Sequence, residues 1–293
     1  MTEQIQSPDY LGASPDAIRH HYSLSNEFFA LWLDPTMTYS CALWKPGDTL
    51  ERAQIRKLDD VLEGVRARGA ARLLDVGCGW GSLLRRATES CGVRRAVGLT
   101  LSEHQADWLA TRNLAPDVEV LVRNWVDYWP EEPYDAIVSI GAFEHFARYG
   151  LSRSARVECY RRFFGFCRSA LRAGSRLVIQ TTIKGNNRRM SRVTVRDMEF
   201  VIEQVFPESE IPALAEIVES SERLFDVVGV RNDGEHYATT CQEWFNRLDA
   251  RRDEAALIVG EWGVANYERY LGSFVEPFRK RHLGLARIVF EAV

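Results

Sequence analysis

Short apolar runs alternate along the chain with longer stretches whose apolar residues recur at helical spacing. Runs at 73–76, 95–99, 118–122, 136–140 and 176–182 read as strands, and 82–91, 102–113 and 154–171 read as the helices between them. This rhythm specifies a parallel sheet with helices on both faces, the α/β class of fold. A helix over 50–66, with Ile55, Leu58, Val61, Leu62 and Val65 on one face, feeds the first strand. Upstream, Ser14 and Pro15 have the order of an N-cap and a first-turn proline, opening helical segments through Arg19 and then over 25–33. Phe28, Phe29, Leu31, Trp32 and Leu33 make the second segment either a core-packed amphipathic helix or a cover over the ligand edge of the sheet.

Residues 184–221 interrupt the rhythm. They begin polar, with Lys184, Arg188, Arg189, Arg192 and Arg196, then turn apolar and helical through Val201, Ile202, Val205 and Phe206 before Pro207. An insertion of that length after a strand is more often a lid than a connection, and it falls at the carboxyl edge of the sheet. A strand over 225–230, a helix over 237–251 with Thr240 and Glu243 in capping-box spacing, a longer helix through 278 and a last strand over 285–293 complete the pattern. The chain divides into a helical cover (1–70), a core (71–183), a lid insertion (184–222) and a C-terminal part of the sheet (223–293), all within one domain.

With 293 residues, 46% hydrophobic and 27% charged, the composition is that of an ordinary globular protein. A net charge of -4 argues against general affinity for nucleic acid or an anionic membrane surface, since either favours a basic face. No window approaches the roughly 18 apolar residues of a membrane span. The polar start, 1–10, lacks the pattern of a signal peptide, so a cytoplasmic location is expected. The six cysteines show no paired spacing, and neither a disulfide framework nor a metal site is expected.

Candidate chemistry collects at the ends of the strands. The stretch Leu73-Leu74-Asp75-Val76-Gly77-Cys78-Gly79-Trp80-Gly81-Ser82 is a buried strand running into a glycine turn that opens a helix, an arrangement that holds nucleotide-like ligands. Its G-x-G-x-G order departs from the pyrophosphate-binding G-x-G-x-x-G and resembles the first motif of methyltransferases that use S-adenosylmethionine. Asp75 either caps the loop or faces a cationic ligand. Thr100 stands where such sheets place a ribose-binding acid, and Gln105 is either a second ligand contact or half of a capping box with Ser102. Trp125 lies against an adenine ring or in the core, and either Asp127 or a backbone amide meets the adenine amino edge. Glu144, between Phe143 and Phe146, is a partly desolvated carboxylate suited to act as a base or to stabilise a cation, whereas His145 points elsewhere.

Two aromatic pieces, H-Y-S-L-S-N-E-F-F from His21 and T-Y-S-C-A from Thr38, join L-D-V-G-C-G-W-G, L-T-L-S-E-H-Q and I-V-S-I-G-A-F-E-H-F in a specific ordered set. The set resembles the cyclopropane fatty acid synthase and mycolic acid cyclopropane synthase family, from Ile18 to the C-terminus. The resemblance implies a Rossmann-like class I methyltransferase fold with a mostly parallel seven-stranded sheet. It also implies S-adenosylmethionine-dependent methylation of an alkene carbon through a carbocation, giving a cyclopropane or a methylated alkene on an unsaturated lipid.

By the same resemblance, cofactor contacts come from Tyr39, Ser40, Gly77, Gly79, Thr100, Gln105 and Trp125, and a bicarbonate pocket from Cys41, Glu144, residues 180–182 and Tyr237. Val126 departs from the acid that the family often has there. Gln180 stands where the family has His. Glutamine keeps hydrogen-bonding capacity but carries neither a titrating proton nor a positive charge, so either bicarbonate is held differently or Glu144 is itself the base. Tyr22, Phe143 and Tyr237 are candidate ring faces for the cation, with a place in the core as the alternative for each. The chain resembles the shorter branch of the family, whose substrates are acyl chains presented on an acyl carrier protein. Arg188, Arg189 and Arg192 suit a phosphate, which makes a prenyl diphosphate the alternative substrate and a solvated or carrier-docking face the plainer reading. A small-molecule O- or N-methyltransferase and a non-catalytic cofactor-binding protein are the rivals from outside this chemistry.

Overall fold

A computed structural model describes residues 11–14, 25–112 and 115–293. Its strands are β1 (Arg72–Val76), β2 (Arg95–Thr100), β3 (Val118–Val122), β4 (Tyr134–Ile140), β5 (Leu171–Lys184), β6 (Phe225–Asn232) and β7 (Leu283–Ala292). They form one seven-stranded sheet in the order β3-β2-β1-β4-β5-β7-β6. The first five strands pair in parallel, and β7 runs antiparallel to both β5 and β6. The strand order reverses between β1 and β4, the position at which open α/β sheets leave a crevice at their carboxyl edge.

The helices are α1 (Asn26–Trp32), α2 (Leu50–Gly64), α3 (Ser82–Cys91), α4 (Glu103–Ala110), α5 (Arg153–Ala170), α6 (Arg192–Gln204), α7 (Leu214–Ser220), α8 (Gly234–Ala250) and α9 (Arg252–Arg279). Ser25, Thr49, Ser102, Ser152 and Ser191 cap α1, α2, α4, α5 and α6 by accepting a backbone N–H with the side-chain oxygen, which satisfies a first-turn donor of each helix. One face of the sheet buries Leu177, Ile179 and Phe290 against Tyr160, Phe163 and Phe164 of α5. The other buries Leu73, Ala96 and Val138 against Leu58, Val61 and Leu84 of α2 and α3. A third cluster, with Phe28, Phe29, Trp32, Trp244 and Tyr267, joins the cover helix α1 to α8 and α9. Among the described residues no helix is long and apolar enough to cross a membrane.

Three details differ from the sequence pattern. Ile55 is 38% exposed, and the buried stripe of α2 runs Leu50, Ala53, Gln54, Lys57, Leu58, Val61, Leu62, so two polar side chains occupy positions that normally hold apolar ones. Thr240 is no N-cap, because α8 starts at Gly234. Its buried hydroxyl donates to the His236 carbonyl at 2.7 Å and accepts from Ala42 N at 3.1 Å and Trp44 Nε1 at 3.0 Å. The long C-terminal helix α9 is broken at Gly260, where φ is 75° and ψ is 161°. The expected helix through Arg19 lies outside the described residues.

Candidate active site

The carboxyl edge of β1 is built to bring a backbone close to a ligand. The Gly77 and Cys78 amides both donate to the Leu99 carbonyl at 2.9 Å, so β2 rather than Asp75 anchors the loop. Gly77 has φ of 88° and a Cβ there would lie 2.5 Å from the Ala142 Cβ, so only glycine fits. Gly79, at φ 53°, has nothing within 4 Å of a would-be Cβ and faces open space. That space is a cavity walled by this loop, by Tyr39 and Ser40 of the cover, by Thr100, Gln105 and Trp125, and by Gly141 and Ala142 after β4.

Within it, Asp75 is 3% exposed, its Oδ1 has no hydrogen-bond partner among the described residues, and burial pushes its carboxyl up to about 7. A buried acceptor left unpaired is unfavourable, and a ligand cation at the cavity is the partner that would satisfy it. The Thr100 hydroxyl donates to Gln105 Oε1 at 2.8 Å and accepts from Ser102 N at 3.1 Å. The Gln105 backbone N–H is capped by Ser102 Oγ at 3.3 Å, but the reciprocal half of a capping box is absent, because the Ser102 N–H goes to Thr100 and the Gln105 side chain lies on the cavity wall with its oxygen bonded to Thr100. Trp125 is likewise both wall and core, 6% exposed, with ring contacts of 5.4 Å to Phe163 and 5.5 Å to Phe146. Tyr39 donates its hydroxyl to Tyr270 at 2.9 Å, and its ring packs among Phe29, Trp32 and Trp244.

Beside this cavity lies a second polar group, on the segments that carry Cys41, Glu144, Gln180 and Tyr237. Glu144 sits in a 3₁₀ turn, Phe143–His145, directly after β4. Its Oε1 accepts from the Thr182 backbone at 2.6 Å, while Oε2 is buried without a partner among the described residues. Burial raises its pKa above the ordinary carboxylate range, against the lowering effect of the Thr182 N–H. Gln180 opposes Arg287 in the β5–β7 register, and Arg287 Nε donates to Gln180 Oε1 at 2.8 Å. The rest of that buried guanidinium pairs with Asp233 and donates to the carbonyls of Cys41 at 3.2 Å and Ala42 at 3.0 Å. Gln180 Nε2 points to the Cys41 carbonyl at a long 3.4 Å. Burial pushes the Cys41 thiol up to about 12 despite the nearby Arg287, so it is a neutral thiol and no nucleophile. Tyr237 is half-buried with its ring 4.7 Å from Phe278, and burial holds its phenol well above its ordinary range.

Not every expected residue reaches these places. Phe143 is fully buried and its ring stacks on Tyr160 at 4.6 Å, so it is core of the α5 layer and not a wall of the cavity. Asp127 is exposed and away from the cavity, whose wall instead carries Asn124, with Nδ2 buried and unpartnered among the described residues. His145, expected to point elsewhere, instead lines the cavity; it is buried, bonded through Nδ1 to the Ser209 hydroxyl at 2.8 Å, and held neutral by burial that lowers it to about 4. Arg188, Arg189 and Arg192 are exposed at the start of the lid, outside the cavity wall and without an ion-pair partner among the described residues, whereas Lys184 pairs with Glu210. Tyr22 lies outside the described residues. Sequence reasoning missed Asn124, Arg287 and Lys57. The last two are charged residues inside otherwise apolar patterns, and that mismatch is the signal that singles them out.

A family model described as mycolic acid cyclopropane synthetase matches residues 12–288. Cyclopropane mycolic acid synthase 3 of Mycobacterium tuberculosis is 33% identical over 287 residues, spanning 94% of this chain and 96% of that protein. Hydroxymycolate synthase MmaA4 of the same organism is 34% identical over 303 residues, spanning 99% and 97%. The crystal structure of mycolic acid cyclopropane synthase CmaA1 complexed with SAH and CTAB superposes with a TM-score of 0.87 at 33% identity, covering 97% of this chain and 100% of that one.

Proposed function

The chain belongs to the mycolic acid cyclopropane synthetase family, and from that premise we propose that its cavity binds S-adenosylmethionine and that the enzyme methylates an alkene carbon of an unsaturated lipid or acyl chain. The residues present fit this cofactor. Asp75 offers a buried carboxylate oxygen, unpaired among the described residues, to a cationic group, Gly79 leaves room for close approach, and Thr100, Gln105 and Asn124 provide polar contacts beside the Trp125 ring. When bound, the cofactor supplies a methyl group to the alkene and leaves a positive charge on the neighbouring substrate carbon.

The protein must then remove a proton without trapping the cation. The single observation that carries this reading is the Glu144 carboxylate, held by Thr182 on one oxygen and without a partner on the other among the described residues, between Ala142 and His145 of the cavity wall. An alkene is a weak nucleophile, so alignment and exclusion of water matter more here than a strong base. Tyr237 and the neutral Cys41 thiol provide weakly polar walls that stabilise a cation without adding to it. Gln180, with its oxygen committed to Arg287, presents only N–H donors, which suits an anion such as bicarbonate between it and Glu144. The exposed arginines of the lid stand outside the cavity wall, which favours docking of a carrier-borne acyl chain over capture of a prenyl diphosphate inside the site.

The test is formation of S-adenosylhomocysteine with paired substrates, a cis-unsaturated acyl chain and the saturated chain of the same length, each free and on an acyl carrier protein. Turnover only with the unsaturated chain is expected. Equal turnover with both, or with neither, overturns the reading.

A further inference from the structure

Lys57 stands where the apolar stripe of α2 calls for a Leu or Ile. It is 1% exposed, and it lines the cofactor cavity. Its Nζ donates to the Ser40 hydroxyl oxygen at 2.9 Å, the single hydrogen bond of this ammonium among the described residues. An ammonium has three N–H donors, and a buried one with donors to spare lacks an acceptor. The bond also fixes Ser40. With its oxygen accepting from Lys57, the hydroxyl is left to donate its own proton, and Ser40 too lines the cavity.

Among the described residues the neighbourhood supplies no protein acceptor that would explain the lysine. Its charged and titratable neighbours are Arg287 from β7, Asp34 and Cys41 from the cover segment, and Asp75 from β1. Both Asp34 oxygens are occupied, Oδ1 by Thr38 N at 3.0 Å and Oδ2 by Thr36 N at 3.0 Å. Cys41 is neutral and Arg287 repels. Asp75 attracts through space but makes no hydrogen bond to Lys57 among the described residues, and its Oδ1 is itself bare. Gln54, one turn earlier on the same stripe, donates to the carbonyls of Thr38 at 3.2 Å and Ser40 at 2.8 Å, so the segment carrying Ser40 is held rigidly over the lysine. The cavity thus presents two donors, Lys57 and Ser40, and one acceptor, Asp75, without partners for them among the described residues, a set complementary to a zwitterionic amino acid.

We propose that Lys57 and the Ser40 hydroxyl receive the carboxylate of the cofactor's amino-acid end, while Asp75 takes its ammonium. This assignment rests on the reading that the cavity binds S-adenosylmethionine. It makes Lys57 a binding residue that discriminates ligands carrying the amino-acid end from those that lack it. Burial and the Arg287 charge lower the Lys57 pKa to about 7, so the ligand-free protein binds such ligands in competition with loss of its proton.

Calorimetry with two probes tests it: S-adenosylhomocysteine, and 5′-methylthioadenosine, which keeps the nucleoside and sulfur but has no amino-acid end. Lys57→Met is expected to weaken S-adenosylhomocysteine by about ten- to a hundredfold, the range for a hydrogen bond to a charged group, and to leave methylthioadenosine within about twofold. Equal weakening of both probes reduces Lys57 to a structural role and overturns the proposal, as does no weakening of either. If the variant fails to fold, the wild-type protein decides. Lys57 and Asp75 both titrate near 7 in the ligand-free protein, so its affinity for S-adenosylhomocysteine relative to methylthioadenosine should peak near pH 7 and fall on both sides, toward about tenfold per pH unit, as Asp75 gains or Lys57 loses its proton, and a ratio constant between pH 5 and 9 overturns it. Binding of neither probe by wild-type protein would instead defeat the cofactor reading on which the proposal stands.

Discussion

Arg287 Nε donates to Gln180 Oε1 at 2.8 Å across the antiparallel β5–β7 pair, while the same guanidinium pairs with Asp233 and holds the Cys41 and Ala42 carbonyls. A side-chain amide would otherwise be free to turn either its oxygen or its nitrogen toward the site. Here the oxygen is taken, so Gln180 is a fixed donor. Arg287→Lys keeps the charge and loses the fork. The variant should fold and bind S-adenosylhomocysteine normally, with half-saturating bicarbonate raised several-fold, and Gln180→His should lower it below the wild-type value. Bicarbonate titration of the rate reads both. Turnover that ignores bicarbonate in all three proteins would place proton removal on Glu144 alone.

Glu144→Gln keeps the size of the side chain and removes the carboxylate. Loss of a positioned proton acceptor should lower kcat by about 10²–10⁴-fold, while S-adenosylhomocysteine affinity measured by calorimetry stays within about twofold of wild type. In the wild-type protein burial raises the Glu144 pKa, so its active, ionised form accumulates at higher pH than for a solvent-exposed glutamate. The rate should rise with pH as this form accumulates and then level off. A rate that does not fall on the acid side contradicts the assignment.

Asp75 is expected to trade stability for binding. Its carboxyl is raised from 3.8 to about 7 in the folded protein. The folded state therefore holds the proton more tightly than the unfolded chain, and this contribution to stability is full below 3.8 and is lost as pH rises to about 7. Asp75→Asn removes that loss. Its Tm, measured without cofactor at pH 7.5, should exceed that of wild type by a few degrees, with the gap closing toward pH 4 and with weaker binding of S-adenosylhomocysteine. Parallel Tm curves for the two proteins across this range would show that the buried acid is not what the pH dependence reports.

The exposed arginines at the start of the lid give a test of substrate presentation. Replacing Arg188, Arg189 and Arg192 together with alanine should leave turnover of a free unsaturated acyl chain unchanged within about twofold and raise KM for the carrier-borne chain by about tenfold, an effect that salt should erase in the wild-type protein. Loss of activity toward a prenyl diphosphate alone would favour the diphosphate substrate instead.

The sheet was legible because its strands are short apolar runs separated by helices with clear caps, and Asp75, Gly77, Gly79, Thr100 and Gln105 follow from their places at strand ends. The cavity draws all five to one wall. The residues that periodicity misplaced are the ones whose partners are distant in sequence. Ile55 fits the apolar spacing of α2 on paper, but the buried stripe is turned to carry Gln54 and Lys57 because they serve the 38–40 segment and the cavity. Phe143 adjoins Glu144, yet in a 3₁₀ turn neighbouring side chains diverge, and its ring goes to α5. Arg287 could not be paired with Gln180 before the antiparallel register of β7 was known.

The most direct test of alkene methylation uses S-adenosylmethionine labelled with a trideuteriomethyl group and a cis-unsaturated acyl chain, with the product analysed by mass spectrometry. The account predicts label on the carbons of the former double bond, with one deuterium lost if the product is a cyclopropane and the whole labelled methyl retained if it is a methylated alkene. Label found on an oxygen or nitrogen atom, or no labelled lipid despite bound cofactor, would contradict it.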